Sequence, residues 1–331
     1  MTGADAVLVT GATGFTGGHL ARTLAAQGQR VRVLVRDPAK AADLCATPGI
    51  EVVTGDLRDP AARARAVEGV TTVYNIAAIY RQASVPAAEY RAINTDAPAA
   101  LVKAAALAGA RRVVHCSTVG VHGDVEHPPA NEDAPLRPGD VYQDTKLDGE
   151  RATREAAEAS GIELVIARPS GIYGPGDRRL LKLFRGVARR RFFVLGSAKI
   201  YYHLTYIDDL VEGFRLCGTV ARAAGRTYIL AGGEVGTLEE LIGLVAAEAG
   251  VTPPSLRLPV WPFWVAGAAC EAICVPLRIE PPLYRRRVDF FTKSRAFDIG
   301  RARAELGFDP RVGLREGIRR SLEWYRAKGW L

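Results

Sequence analysis

The chain is poor in cysteine, methionine and histidine, with five, one and five of them in 331 residues. The cysteines, Cys45, Cys116, Cys217, Cys270 and Cys274, are odd in number, and none forms a CxxC unit answered by a second one or by spaced histidines. This excludes a disulfide framework and a zinc site, and makes a reducing, cytoplasmic setting the expectation. No carboxylate–histidine spacing suggests another metal, so none is expected. The opening residues lack the charged start and apolar run of a secretory leader. Long apolar runs are also missing: the best candidate, Leu258–Leu277, is interrupted by Pro262, Glu271 and Pro276, where a membrane span wants about 20 predominantly apolar residues. No internal repeat is visible. The formal charge is +8, yet no nucleic-acid-reading motif accompanies it, so no nucleic-acid partner is expected. The basic bunches Arg178–Arg191 and Arg285–Arg287 read as solvated helix faces, with an anionic ligand or an acidic membrane as the second reading.

Apolar residues make up 48% and charged residues 24%, enough for a full core in one large domain or two closely joined ones. Short Val/Leu/Ile runs at Ala6–Thr10, Val31–Val35, Glu51–Thr54, Thr72–Ile76, Arg112–Cys116 and Glu163–Ala167 alternate with helical patterns such as Gly18–Gln27 and Pro98–Ala108. That alternation predicts an α/β fold, a doubly wound parallel sheet with helices on both faces. After Arg168 the pattern changes: Gly171, Gly174, Pro175 and Gly176 punctuate a loop, and helices then dominate. Thr237 with Glu240 marks a capping box opening a helix over Leu238–Ala249. Tyr201–Ile207 and Arg226–Leu230 are expected to return to the sheet. The domains expected are 1–170, with a return at 196–232, and a smaller, mostly helical substrate domain from 171–195 and 233–331.

The run Val7 to Gly17 is a strand, a turn carrying Gly11, Gly14 and Gly17, and a helix start. Such a turn needs positive φ, a backbone that a pyrophosphate can approach, and close packing of helix on strand. The helix N-terminus then offers free N–H groups to phosphate. In this context the glycines indicate a Rossmann dinucleotide site that includes Thr13, Phe15 and Thr16. An acidic residue about 20 positions beyond the glycines selects a ribose hydroxyl, and Arg there accommodates a 2′-phosphate. Here the second strand is followed by Arg36 and then Asp37, with Lys40 nearby. NADP is favoured over NAD, with Asp37 toward the ribose as the alternative.

The GxxGxxG spacing resembles the extended branch of the short-chain dehydrogenase/reductase superfamily, over almost the whole chain. The resemblance implies that Asp56 and Leu57, after Gly55, meet the adenine, and that Ala77 and Ala78, after Asn75-Ile76, lie against the cofactor. It also places Asn94, in Tyr90-Arg-Ala-Ile-Asn94-Thr, near the active site and among the cofactor-binding residues, and Pro169 and Ile172 beside the nicotinamide. Ser294–Phe308 looks like the family's C-terminal segment.

Tyr142 and Lys146 stand four apart in a helical segment, Asp140–Ala159, and so share one face. A phenol of ordinary pKa, about 10, is a poor proton shuttle near neutrality, and the expectation is that the neighbouring ammonium draws it down. By resemblance Lys146 also binds the nicotinamide ribose. Aligning Val121-His122-Gly123 with the family's Val-Tyr-Gly puts Thr118 at the hydroxyl that bonds the substrate oxygen, with Ser117 as the fallback. His115 reads as core, and His122 as either cleft lining or filler. Asp208 or Asp209 reads as a helix N-cap rather than a site near His203.

Nucleotide-sugar members commonly carry Asn where this chain has Gly171, which argues against a sugar nucleotide. The aromatic-rich 258–277 segment resembles 3β-hydroxysteroid dehydrogenase and dihydroflavonol-reductase-like members, including sterol-4-carboxylate dehydrogenases. The expected activity is interconversion of a secondary alcohol and ketone on a hydrophobic, steroid-, sterol- or terpenoid-like small molecule. A nucleotide-sugar epimerase, dehydratase or reductase is the runner-up. Trp261, Phe263 and Trp264 are expected to roof an apolar pocket. Peripheral membrane contact is a second reading of the segment, and a homodimer is expected.

Overall fold

The computed structural model describes residues 6–82, 85–274, 277, 279, 282–283 and 285–331. Seven strands form one sheet: β1 (Ala6–Thr10), β2 (Arg30–Val35), β3 (Ile50–Thr54), β4 (Val70–Asn75), β5 (Arg112–Cys116), β6 (Glu163–Pro169) and β7 (Thr227–Leu230). Their spatial order is β7-β6-β5-β4-β1-β2-β3, all parallel. The six strands expected over residues 6–167 are all present, with ends shifted by two residues at most.

Period-2 alternation sends each strand's side chains to two different cores. Val7 and Val9 belong to one cluster with Leu20, Val31, Val33 and Phe214. Ala6 and Leu8 belong to the other, with Val73, Leu101, Val113 and Ile166. The helices divide accordingly. α1 (Phe15–Ala26) supplies Leu20 to the first cluster; α2 (Pro60–Val67) and α3 (Ala97–Leu107) supply Ala62 and Leu101 to the second. α4 (Val141–Ser160) packs beside α3 and adds Ala156 and Ala157 to that second cluster. Its start is set by Asp140, whose carboxylate accepts from Gln143 N at 2.9 Å, and its end by Gly161 at φ 68°.

Short helices also cover Ala42–Cys45 and Ala87–Arg91, and beyond α4 follow α5 (Leu181–Ala188), α6 (Ile207–Thr219), α7 (Leu238–Ala249), α8 (Val260–Cys274), α9 (Arg285–Thr292), α10 (Gly300–Leu306) and α11 (Leu314–Ala327). α6 supplies Phe214 to the first cluster. α7 carries the expected capping box of Thr237 and Glu240. The segment 201–207 departs from expectation. Leu204–Tyr206 pairs with Gly171–Tyr173, and Tyr201–Tyr202 with Gly236–Thr237, so both build small two-stranded sheets beside the main one. β7 has already taken the place next to β6.

Neither Asp208 nor Asp209 caps α6; Tyr206 holds that position. Asp209 instead accepts from Arg311 N and Val312 N at 2.9 and 3.0 Å, tying the C-terminal segment to α6. His115 is core, fully buried, with its Nδ1 on Asn75. His203 is buried too: its Nδ1 accepts from Phe297 N, which leaves Nε2 to donate to Gly232 O at 2.8 Å.

A buried ion pair joins helix to sheet. Arg168, at the C-terminal end of β6, donates from Nε and Nη2 to the two Glu150 oxygens of α4, at 2.9 and 2.7 Å. Both side chains are at most 5% exposed. Removing one partner of such a pair strands a buried charge and costs about 3–5 kcal/mol. Glu150→Ala should therefore lower the unfolding free energy by about that much in denaturant titrations. A loss below about 1 kcal/mol would show that the other Arg168 contacts suffice to hold the charge.

Candidate active site

The sheet order reverses between β1 and β4, which opens a crevice at the carboxyl ends of the strands. The floor of that crevice is the glycine turn. Gly11 sits at φ +70°, and a Cβ there would lie 2.8 Å from the Ala77 backbone. A Cβ on Gly17 would come within 2.4 Å of Gly11 O. Side chains are thus excluded where α1 and the chain after β4 close on the turn. Thr10 locks this corner: its hydroxyl donates to Asn75 Oδ1 at 2.8 Å and accepts from Ile76 N and Ala77 N, both at 3.1 Å. No side chain caps the first turn of α1, so its amide end is left for an external anion. These features fit a dinucleotide pyrophosphate.

Around this floor lies a cavity of about 470 Å³. It is lined by Gly11, Thr13, Gly14, Phe15, Thr16 and Gly17 at one end, and by Arg36, Asp56 and Leu57 beyond β2 and β3. Ala77, Ala78, Lys146, Pro169 and Ile172 line it as well. Asn94 does not. It is fully buried behind the wall, where its Oδ1 accepts from Ile79 N at 2.9 Å and its Nδ2 donates to Ile79 O and Thr145 Oγ1. It ties the cavity wall to α4 and is a positioning residue. Asp37 is exposed and turned back on its own loop, accepting from Ala39 N at 3.0 Å with Lys40 Nζ at 3.8 Å.

The chemical end of the cavity brings together Ser117, Thr118, Tyr142 and Lys146. Thr118 follows β5 and caps a short turn, its hydroxyl oxygen accepting from Gly120 N at 3.0 Å. The hydroxyl hydrogen remains free to donate. Ser117 is buried, and its hydroxyl has no partner among the described residues. Lys146 is buried on α4 and donates to Cys116 O at 2.5 Å. Burial lowers its pKa, while Cys116 and Glu150 oppose that shift. Burial raises the Tyr142 phenol well above its ordinary value, helped by Cys116 and Tyr80. The charges that pull it back are those of Arg81 and Arg179. The expectation that the Lys146 ammonium draws the phenol down is thus corrected: burial raises the phenol, the charges that oppose this are Arg81 and Arg179, and the ammonium is held by the Cys116 carbonyl.

Arg81, Arg179, Arg295, Tyr80 and Tyr202 also line the cavity, and none was singled out in the sequence. Arg179 falls within a run expected to face solvent; it is exposed, and it also donates to Asp177 and to Ile172 O, at 2.9 and 2.8 Å. Arg178 stacks on Trp330, 4.9 Å from the ring centroid. Arg178, Arg179, Lys182, Arg189, Arg190 and Arg191 are all exposed, as the solvated reading expects. At the other bunch, Arg285 is exposed and paired with Glu271 at 2.8 Å. His122 is filler: it is buried between Pro135 O and Arg168 Nη1 and does not line the cavity.

The aromatic segment also differs from expectation. α8 has one buried residue, Gly267, while Trp261 is 70% and Trp264 48% exposed. Trp261 and Phe263 do not line the cavity, and Trp264 borders a second, charged cleft of about 580 Å³. The helix is apolar on all sides, so packing one side still leaves large rings in solvent. Val275, Pro276 and Pro281 of this reading lie outside the described residues. No helix among the described residues is long and apolar enough to cross a membrane.

Comparison with known proteins agrees with this geometry. A 2-alkyl-3-oxoalkanoate reductase of Stenotrophomonas maltophilia is 30% identical, over 95% of this chain and 97% of its own. A 3 beta-hydroxysteroid dehydrogenase/Delta 5-->4-isomerase of Mycobacterium tuberculosis is 30% identical, over 96% and 90%. Among solved structures, gox2253 superposes with a TM-score of 0.82 at 29% identity, covering 99% of both chains. MoeE5 in complex with UDP-glucuronic acid and NAD gives 0.77 at 26%, covering 98% of this chain and 100% of that one. Residues 7–231 match the NAD dependent epimerase/dehydratase family. With its glycine turn, reversed strand order and full-length relatives in agreement, the chain is a member of that family, an NAD-dependent enzyme of the extended short-chain dehydrogenase/reductase type.

Proposed function

We propose that this enzyme interconverts a secondary alcohol and a ketone on a hydrophobic, steroid-, sterol- or terpenoid-like molecule, with NADP as the preferred cofactor. The observation that carries the reading is one cavity that holds Thr118, Tyr142 and Lys146 together with the whole glycine turn. Residues 171–195 and 233–331 form the substrate domain in this reading, and 1–170 with 196–232 the cofactor domain.

When bound, a nicotinamide would supply the hydride chemistry at the carbonyl carbon, in either direction. The glycine turn and the N-terminus of α1 would hold its pyrophosphate, and Pro169, Ile172 and Lys146, which line the same cavity, would hold its nicotinamide end. Thr118 donates its free hydroxyl hydrogen to the substrate oxygen and orients it. Tyr142 then gives its proton to that oxygen, completing the alcohol. A phenol raised by burial keeps its proton near neutrality, which suits donation to a carbonyl. In the reverse direction the charges of Arg81 and Arg179 favour the phenolate that must accept the proton.

Two features support a hydrophobic substrate over a sugar nucleotide. Ile79, Ile93, Tyr80 and Tyr202 line the cavity. At position 171, a Cβ would meet Leu204 Cδ2 at 2.7 Å, so an Asn there would require the Leu204 side chain to move. The steroid dehydrogenase among the relatives points the same way. NADP is supported by exposed Arg36 on the cavity wall, while the Asp37 carboxylate is turned back on its own loop.

Tyr142→Phe should keep cofactor affinity and lose about 10²–10⁴-fold in kcat, the usual contribution of a general acid. Cofactor fluorescence titration paired with turnover reads both quantities. Retention of more than a few per cent of kcat would move the proton transfer to another group.

Arg36→Ala should weaken NADP by roughly 2 kcal/mol, the scale of a charge-assisted contact, and leave NAD nearly unchanged. Calorimetry with both cofactors measures the difference. Equal losses would place the selectivity elsewhere in the adenosine pocket.

A further inference from the structure

The charged cleft bordered by Trp264 opens off the catalytic cavity, and Arg81, Gln143 and Arg295 line both. Most of its cations are matched. Arg81 pairs with Asp140 at 2.9 Å, Arg285 with Glu271 at 2.8 Å, Lys293 with Asp289 at 3.1 Å, and Arg137 with Glu126. Arg295 is the exception. Among the described residues its guanidinium has neither an ion pair nor a hydrogen bond, although the residue is half-buried. Asp124, the other unmatched charge of the cleft, is exposed to solvent and has no ion pair among the described residues.

Arg295 is also fixed in place. Its N donates to Tyr201 O at 2.9 Å and its carbonyl accepts from His203 N at 3.0 Å, so strand-like pairing holds its backbone against Tyr202. Arg81 and Arg179, each engaged by a carboxylate, stand on the same cavity wall and act on the Tyr142 phenol. A half-buried guanidinium with no internal anion is a poor structural element, because its desolvation is not compensated. It is a good ligand anchor: the planar fork matches the two oxygens of an oxyacid.

From this we infer that Arg295 is the anchor for a carboxylate on the substrate, so that the molecule turned over is an amphipathic acid with an apolar body and an acidic head. The inference rests on the alcohol–ketone reading of the same cavity. The apolar wall takes the body, Thr118 and Tyr142 take the reacting oxygen, and the carboxylate reaches past Tyr202 to the mouth of the charged cleft. The charge selects among substrates and takes no part in proton transfer.

The test separates recognition from turnover. Dehydrolithocholic acid, a steroid ketone with a side-chain carboxylate, and its methyl ester are titrated by calorimetry into the cofactor-loaded Tyr142→Phe enzyme. The acid should bind about ten- to a hundredfold more tightly, the scale of one charge-assisted pair. Arg295→Met should abolish that preference by weakening the acid alone, and Arg295→Lys should restore part of it. With Tyr142 present, the same changes should appear in KM and leave kcat close to its value. Equal binding of acid and ester, or an Arg295→Met loss shared by both, overturns the inference. Displacement of the acid by UDP, lost in Arg295→Met, also overturns it and assigns the anchor to a nucleotide phosphate. Tight, Arg295-dependent binding of the acid without turnover of either compound by the enzyme with Tyr142 intact sinks the alcohol–ketone reading and leaves the anchor standing.

Discussion

Arg168 holds the frame on which the site is built. Its guanidinium takes both oxygens of Glu150 on α4, the Glu132 carbonyl and His122 Nε2, all within 3.2 Å. It therefore joins β6, the helix that carries Tyr142 and Lys146, and the turn after β5 that presents Thr118. A buried ion pair adds little net stability over an apolar pair of the same shape. Its effect here is geometric: five donors in a fixed fork accept one arrangement of those segments and penalise the others. The charge also lowers the His122 pKa, which burial already depresses, to about 4, so that this histidine stays neutral beside it.

A second constraint acts from the opposite side of the crevice. Thr10 binds the ends of β1 and β4, and the glycine turn passes so close to Ala77 that no side chain fits. A similar close pass lets α4 lie on the turn around Asn94, where a Cβ on Gly149 would sit 2.2 Å from Asn94 O. Cofactor floor and reactive wall are thus each fixed by backbone contacts and by a few fully used polar groups. The cavity between them carries opposed electrostatics: burial pushes the Tyr142 phenol up, while Arg81 and Arg179 pull it down.

Much of this is legible in the sequence, and the limits have physical causes. The strands and the capping box of α7 are local signals, read from alternation and spacing. The glycine turn and the Tyr142–Lys146 pair are also local, and they land on one cavity. What the sequence hides is long-range pairing. That Arg179 also borders the cavity depends on Asp177 and on where β6 ends, and Arg295 comes to the cavity only because its backbone pairs with residues 201–203. Asn94 reads as a cofactor contact, yet its amide is consumed by Ile79 and Thr145. The aromatics of α8 read as a roof because composition shows apolarity without direction; the rings of Trp261 and Trp264 face largely outward.

The central claim is that this frame performs net hydride transfer between cofactor and a hydrophobic substrate. Reduced cofactor deuterated at its transferable hydrogen tests that claim most directly, with a steroid ketone as acceptor and mass spectrometry of the product. The account predicts deuterium on the new carbinol carbon in step with cofactor consumed. An epimerase or dehydratase cycle, in which bound cofactor is regenerated, would leave the added cofactor unspent and the ketone unlabelled, and that result would contradict the account.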